Sequence, residues 1–134
     1  MSPVVAVGAI AVRGDEILLI RRGHGPAAGE WSIPGGRVEA GELMASAVIR
    51  ELHEETGLDA VCGRFVGWAE LLDDPQHFVV LDFEVTIMTS DDEPTAGSDA
   101  TEAAWVSLGS IAELNMVAGL VDFLADHGYV DTLA

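Results

Sequence analysis

"PGGRVEAGELMASAVIRELHEETGL", residues 34–58, decides the fold and most of the chemistry of this 134-residue chain. From Leu43 to Thr56 there is no Gly or Pro, and Gly57 stands where a helix C-terminal stop is expected. The spacing predicts a helix of about four turns over residues 43–56. On a wheel at about 100° per residue, Glu55 falls about 40° to one side of Glu51 and Glu54 about 60° to the other. The three carboxylates thus share an arc of about 100° with Met44, Ala47 and Val48, one and two turns earlier. A stripe that is apolar in the first half of the helix becomes carboxylate in the second.

A solvated acidic face is the bland reading of such a run, and glutamate is a good helix former. Two observations oppose it. The carboxylates crowd the C-terminal half, where the helix dipole is already negative, and they share the core-facing stripe. Carboxylates held half-buried together must be protonated, paired or bound to a cation. Arg50 can reach Glu54 at the i,i+4 spacing, but one arginine cannot balance three carboxylates. Hard oxygen ligands of this kind suit Mg2+ or Mn2+ rather than zinc. Just upstream, Gly35 and Gly36 let the backbone approach a ligand closely. Glu42, at the opening of the helix, reads as structural because its charge suits the dipole there. Arg21, Arg22 and Arg37 are half of the six basic residues and bracket the glycine turn. They either meet an anionic ligand or solubilise a hairpin.

Outward from the helix, "VVAVGAIAV", the turn at Arg13–Asp15 and "EILLIRR" read as a hairpin. A loop at 23–30 leads to a short strand within 31–42. Residues 60–72 and 77–88 read as two strands joined by "DDPQ", then come an acidic loop at 90–100 and a last strand, "EAAWVSL". One or two helices close the chain. The order β-β-(short β)-α-β-β-β-α indicates an α/β/α sandwich with a mixed β-sheet, as a single domain over 1–134.

Twenty-three acidic residues against six basic give a net charge of −17. Such a surface repels DNA, RNA and anionic lipid, which are bound through basic patches. An anionic ligand must therefore meet clustered arginines or a bound cation. The single cysteine, Cys62, excludes an internal disulfide and a multi-cysteine metal site. His24, His53, His77 and His127 are scattered without an HxxxH pair, against a zinc site. No signal peptide or membrane span is evident, so the expected location is the cytoplasm.

Gly36, five residues, Glu42, seven residues, then Arg50-Glu51-Leu52-His53-Glu54-Glu55-Thr56-Gly57-Leu58 match the Nudix box, GX5EX7REUXEEXGU, at all nine fixed positions. The chain resembles the Nudix hydrolase family along nearly its whole length, including "GEWSIPGG" before the box and "AAWVSL" after it. The resemblance implies hydrolysis of a nucleoside diphosphate linked to another group, with Mg2+ or Mn2+ as cofactor. Carried over by position, Glu51, Glu54, Glu55 and the Gly35 carbonyl would hold the metal, and Arg50 would orient the carboxylates. By the same resemblance Glu51 is the favoured general base, with a carboxylate of the later loop, Asp99 or Glu102, as the alternative.

The box does not name the substrate. "WSIPGGRVEAGE" with "HFVVLDFEV" is most similar to small ADP-ribose pyrophosphatase-type members, and Pro75 is a loose counterpart of a proline some of them carry. A nucleoside triphosphate pyrophosphatase is the alternative enzyme, and a non-catalytic nucleotide sensor the alternative of another class. Asn115 falls near a base-reading asparagine of one triphosphate subgroup; its plain reading is a helix N-cap before "MVAGLVDFL". Arg22, Arg37 and Gly36 are expected at the phosphates. For Trp31, Trp68, Trp105 and Phe78 core packing competes with stacking on an adenine, with Phe78 and Trp68 the candidates. The apolar strand "FVGWAELL" offers either core packing or a homodimer interface.

Overall fold

The computed structural model describes residues 2–25, 27–73, 76–88, 91–97 and 99–131. Its strands are β1 (Val4–Ile10), β2 (Val12–Arg13), β3 (Glu16–Arg22), β4 (Trp31–Ser32) and β5 (Gly35–Arg37), followed by helix α1 (Met44–Thr56). Then come β6 (Ala60–Asp73), β7 (Gln76–Ile87), β8 (Ala100–Ser107), a 3-10 helix at Leu108–Glu113 and α2 (Leu120–Asp126). The tip of the β6–β7 turn, with Pro75, lies outside the described residues.

Two four-stranded sheets carry these strands. One runs β5-β1-β7-β6 and is mixed, with β1 parallel to β7 and antiparallel to β5. In the other, β3 is flanked by β8, β4 and the short β2, all antiparallel. The expected hairpin of residues 4–22 is therefore corrected. Only β2 and β3 form one, while β1 ends at Ile10 and belongs to the other sheet. The carbonyl of Ala11 accepts from the Leu18 N–H at 3.0 Å and stitches the crossing. Because every residue from Ala6 to Ala11 is buried, the run is apolar throughout and carries no sign of the break.

Alternation along the strands divides the core between the two helices. Val7, Ala9, Ala11 and Leu18 pack with Ala47, Val48 and Leu52 of α1. Ile10, Ile17, Leu19 and Ile33 pack with Ile111, Leu120 and Leu124 on the other side. That is the α/β/α layering expected. Gly57 closes α1 in the left-handed region (φ 74°), its N–H donating to the His53 carbonyl. Asn115 does not cap α2; Gly119 holds that position, and the Asn115 carbonyl accepts from the Trp31 N–H at 2.8 Å.

Two features depart from an apolar interior. Asp82 on β7 is buried with Oδ1 unpartnered among the described residues, and burial pushes its carboxyl up to about 6. On the edge strand β6, Trp68 is 61 % exposed, and Phe65, Leu71 and Leu72 are exposed as well. Core packing therefore accounts for only part of "FVGWAELL", the part around Val66 and Gly67. No helix among the described residues is long and apolar enough to cross a membrane.

Leu52 is fully buried between α1 and both sheets. Leu52→Ala should cost about 2–5 kcal/mol of stability, read as a lowered midpoint in denaturant with an unchanged slope.

Candidate functional site

The buried stripe of α1 is Ala47, Val48, Leu52, Glu55 and Thr56, so its centre lies on the Leu52 side of Glu51. Glu55 falls inside it at 7 % exposure, and the Glu51 side chain borders it at 15 %. Glu54, on the far side of Glu51, is 49 % exposed. The three carboxylates thus divide: two turn inward, and the third stays with solvent and Arg50.

The glycine turn meets the two inward carboxylates one residue at a time. The Gly35 N–H donates to Glu55 Oε1 at 2.8 Å. At Gly36 a β-carbon would lie 2.5–2.6 Å from the Glu51 carboxylate, so only hydrogen leaves room for it. At Gly35 a β-carbon would strike the Val7 carbonyl at 2.2 Å. The close approach expected of this turn is made first to the protein's own carboxylates.

Arg50 ties the turn to the helix. Its Nε and Nη2 donate to the two Glu42 oxygens at 2.7 and 2.9 Å, and Nη2 also to the Arg37 carbonyl at 3.0 Å. Its Nη1 donates to Glu51 Oε1 at 2.9 Å and reaches Glu54 Oε2 at 3.3 Å. The Arg50 guanidinium, with the Glu39 N–H, holds the Glu42 carboxyl down at about 2. Glu42 is therefore the fixed anionic anchor of the clamp.

Beside this clamp opens a cavity of about 380 Å3 lined by Arg22, His24, Gly36, Arg37, Glu51, Glu55 and Asp99, among others. Burial pushes the Glu51 carboxyl up against the opposing pull of Arg50. Burial likewise pushes Glu55 up to about 8, with the Gly35 N–H and Arg22 opposing and the charges of Glu51 and Asp99 adding to the rise. The site is an excess of carboxylate waiting for positive charge.

Asp99 comes from the loop before β8. Its carbonyl accepts from the Gly23 N–H at 3.0 Å, and its Oδ1 lies 2.9 Å from His24 Nε2. Upstream, Thr95 and Gly97 N–H donate to the Thr56 and Glu55 carbonyls at 2.8 and 3.0 Å, taking up the last carbonyls of α1. Further back, Arg13 grips Asp92 at 2.8 Å and stacks over Trp105, whose indole N–H donates to the Asp92 carbonyl.

Of the residues expected at the site, Arg22, Gly35, Gly36, Arg37, Glu51, Glu55 and Asp99 line the cavity, and Arg50 braces it. Phe78 lies beside it, its ring 5.7 Å from the Arg37 guanidinium carbon. Glu102 is turned toward Arg21 at 4.0 Å, outside the cavity lining. Asn115 is likewise not among the lining residues. His24 is a lining residue that sequence reasoning passed over. It lies in the loop just past the end of β3, beyond the reach of strand alternation, so no local signal marks it.

Does this set fit a divalent cation? The donors are hard oxygens, and burial raises the proton affinity of both inward carboxylates, Glu51 even with Arg50 paired to it. Among the described residues no three His, Cys, Asp or Glu side chains already converge on one metal-sized point. The reason is visible: Glu54 leans on Arg50. The charge and chemistry of the Glu51–Glu55 pair fit a hard cation.

The raised carboxyls set a pH dependence for the metal-free protein. Glu55 keeps its proton to about 8 folded but loses it near 4.5 unfolded, and Asp82 to about 6 against 3.8. Across these windows the folded state binds more protons, so stability falls as pH rises, by about 1.4 kcal/mol per unit of pKa separation. The Tm in chelator should drop between pH 4.5 and 8, and Glu55→Gln should flatten the part above pH 6. An identical Tm–pH slope in Glu55→Gln would contradict this account.

A family model described as the NUDIX domain matches residues 2–127. The ADP-ribose pyrophosphatase of Methanocaldococcus jannaschii is 37 % identical over 116 residues, covering 85 % of this chain and 68 % of that one. The CTP pyrophosphohydrolase of Escherichia coli is 40 % identical over 67 residues, covering 49 % of this chain and 50 % of that one. The crystal structure of a MutT NUDIX hydrolase from Burkholderia pseudomallei superposes with a TM-score of 0.82 at 26 % identity, covering 96 % of this chain and 99 % of that one. With the family model spanning nearly the whole chain and the box glutamates gathered beside the glycine turn, the chain belongs to the NUDIX domain family.

Proposed function

We propose that this enzyme hydrolyses the pyrophosphate bond of ADP-ribose or a closely related nucleoside diphosphate sugar, with Mg2+ or Mn2+. The reaction class is hydrolysis of a pyrophosphate bond, as in its relatives. The observation that carries the reading is the pair of carboxylates, Glu51 and Glu55, seated on Gly36 and Gly35 at the floor of an arginine-rimmed cavity. The choice of ADP-ribose is supported by the likeness to the Methanocaldococcus enzyme over 85 % of the chain. The likeness to CTP pyrophosphohydrolase, over about half of each chain, supports a triphosphate substrate as the second reading.

Glu51, Glu54, Glu55 and the Gly35 carbonyl would hold the cation. When bound, it neutralises the diphosphate and stabilises the charge developing on the leaving phosphate. Arg22 and Arg37 meet the phosphate oxygens from the rim, a fork geometry suited to such groups. Asp99 is the favoured base. Glu51 is already engaged by Arg50, whereas the Asp99 carboxylate lines the cavity with His24 as its side-chain partner among the described residues. Asp99 takes a proton from the attacking water as its oxygen bonds to phosphorus. The bridging P–O bond then breaks, and its electrons leave with the departing phosphate.

A panel of ADP-ribose, other nucleoside diphosphate sugars, CTP and deoxynucleoside triphosphates tests the substrate, with products identified. AMP and ribose 5-phosphate from ADP-ribose at high kcat/KM are expected; turnover confined to triphosphates overturns the choice. Glu51→Gln and Asp99→Asn should each lower kcat by about 100-fold or more. An unchanged rate in either removes that residue's role.

A further inference from the structure

The loop that delivers Asp99 is seated on the very residue whose carboxylate it faces. Gly97 donates its N–H to the Glu55 carbonyl at 3.0 Å, and Thr95 to the Thr56 carbonyl at 2.8 Å. The approach at Gly97 is close. A β-carbon there would lie 1.7 Å from the Glu54 carbonyl oxygen and 3.2 Å from the Glu55 Cα. Both are backbone atoms of α1, which cannot swing aside as a side chain would. Any residue but glycine must lift the loop off the helix end, two positions before Asp99.

On the other side of Asp99 the Gly23 N–H holds its carbonyl, and a β-carbon at Gly23 would stand 3.2 Å from that oxygen. The Asp99 backbone is thus held by the loop after β3, and Gly97, two positions before it, by the end of α1. The exposed His24–Asp99 contact adds little by itself, since exposed pairs are worth at most about 1 kcal/mol. Backbone seating does the positioning.

We infer that Gly97 is a positioning residue for hydrolysis: by docking on the Glu54–Glu55 backbone it sets the distance between the Asp99 carboxylate and the Glu51–Glu55 pair. This rests on the reading of Asp99 as base. A displacement of about 1 Å is enough to cost on the order of 100-fold in rate.

A double-mutant cycle tests it. Gly97→Ala should lower kcat by about 10-fold or more with KM changed by less than about 2-fold, because phosphate contacts at Arg22 and Arg37 are untouched. In an Asp99→Asn background the same change should cost less than about 3-fold, since a misplaced group that no longer acts cannot lose more. Hydrogen exchange should show the amides of residues 95 and 97 protected in the wild type and released in Gly97→Ala. Should Gly97→Ala not fold, Gly23→Ala presses on Asp99 from the opposite side and should show a smaller loss with the same coupling.

Equal losses in the two backgrounds would overturn the inference while leaving Asp99 as base. A silent Asp99→Asn would remove the base assignment and the inference together. Unprotected amides at 95 and 97 in the wild type would overturn the inference alone.

Discussion

One guanidinium ties the glycine turn of this site to its helix. Arg50 reaches Glu42 and the Arg37 carbonyl on the glycine turn, and Glu51 and Glu54 on its own helix. Without it the turn and α1 would present carboxylates to each other across a half-buried gap, where like charges repel strongly. With it, the turn is locked against the helix and its glycines lie on Glu51 and Glu55. A planar fork serves several acceptors at once, which a lysine ammonium could not do in the same geometry. The chain contains no lysine at all, and its six basic side chains are all arginine.

The residues that this clamp organises were legible in the sequence because they lie on one short, gap-free segment. Helical spacing brought Glu51 and Glu55 to the core-facing stripe, and the paired glycines announced a close approach. Spacing alone placed Glu54 with them as well. A wheel gives the angle between residues but not where the buried centre falls, and Leu52 drew that centre to the other side of Glu51. The fold was legible as a sequence of elements and as an α/β/α sandwich.

What escaped is long-range. The change of sheet at Ala11 hides inside an unbroken apolar run, since a strand buried on both faces shows no alternation. His24 and Asp99 lie 75 positions apart and meet only because β3 and β8 are neighbours. Glu102, which the spacing offered equally, faces Arg21 on the register partner instead. The seating of the 91–97 segment on α1 likewise has no local signature: an acidic, proline-bearing stretch reads simply as a solvated loop.

The acidic shell bears on turnover as well as on entry. Cutting a pyrophosphate bond turns one anhydride into two phosphate-bearing products, which together carry more negative charge than the molecule that arrived. Around the cavity, arginines supply local attraction; beyond it, a chain of net charge −17 supplies repulsion in every direction. A field of that sign slows the approach of an anion, increasingly so at low ionic strength. It also opposes rebinding once the two anionic products have left. The same carboxylates that burden the fold thus give the reaction a direction of exit.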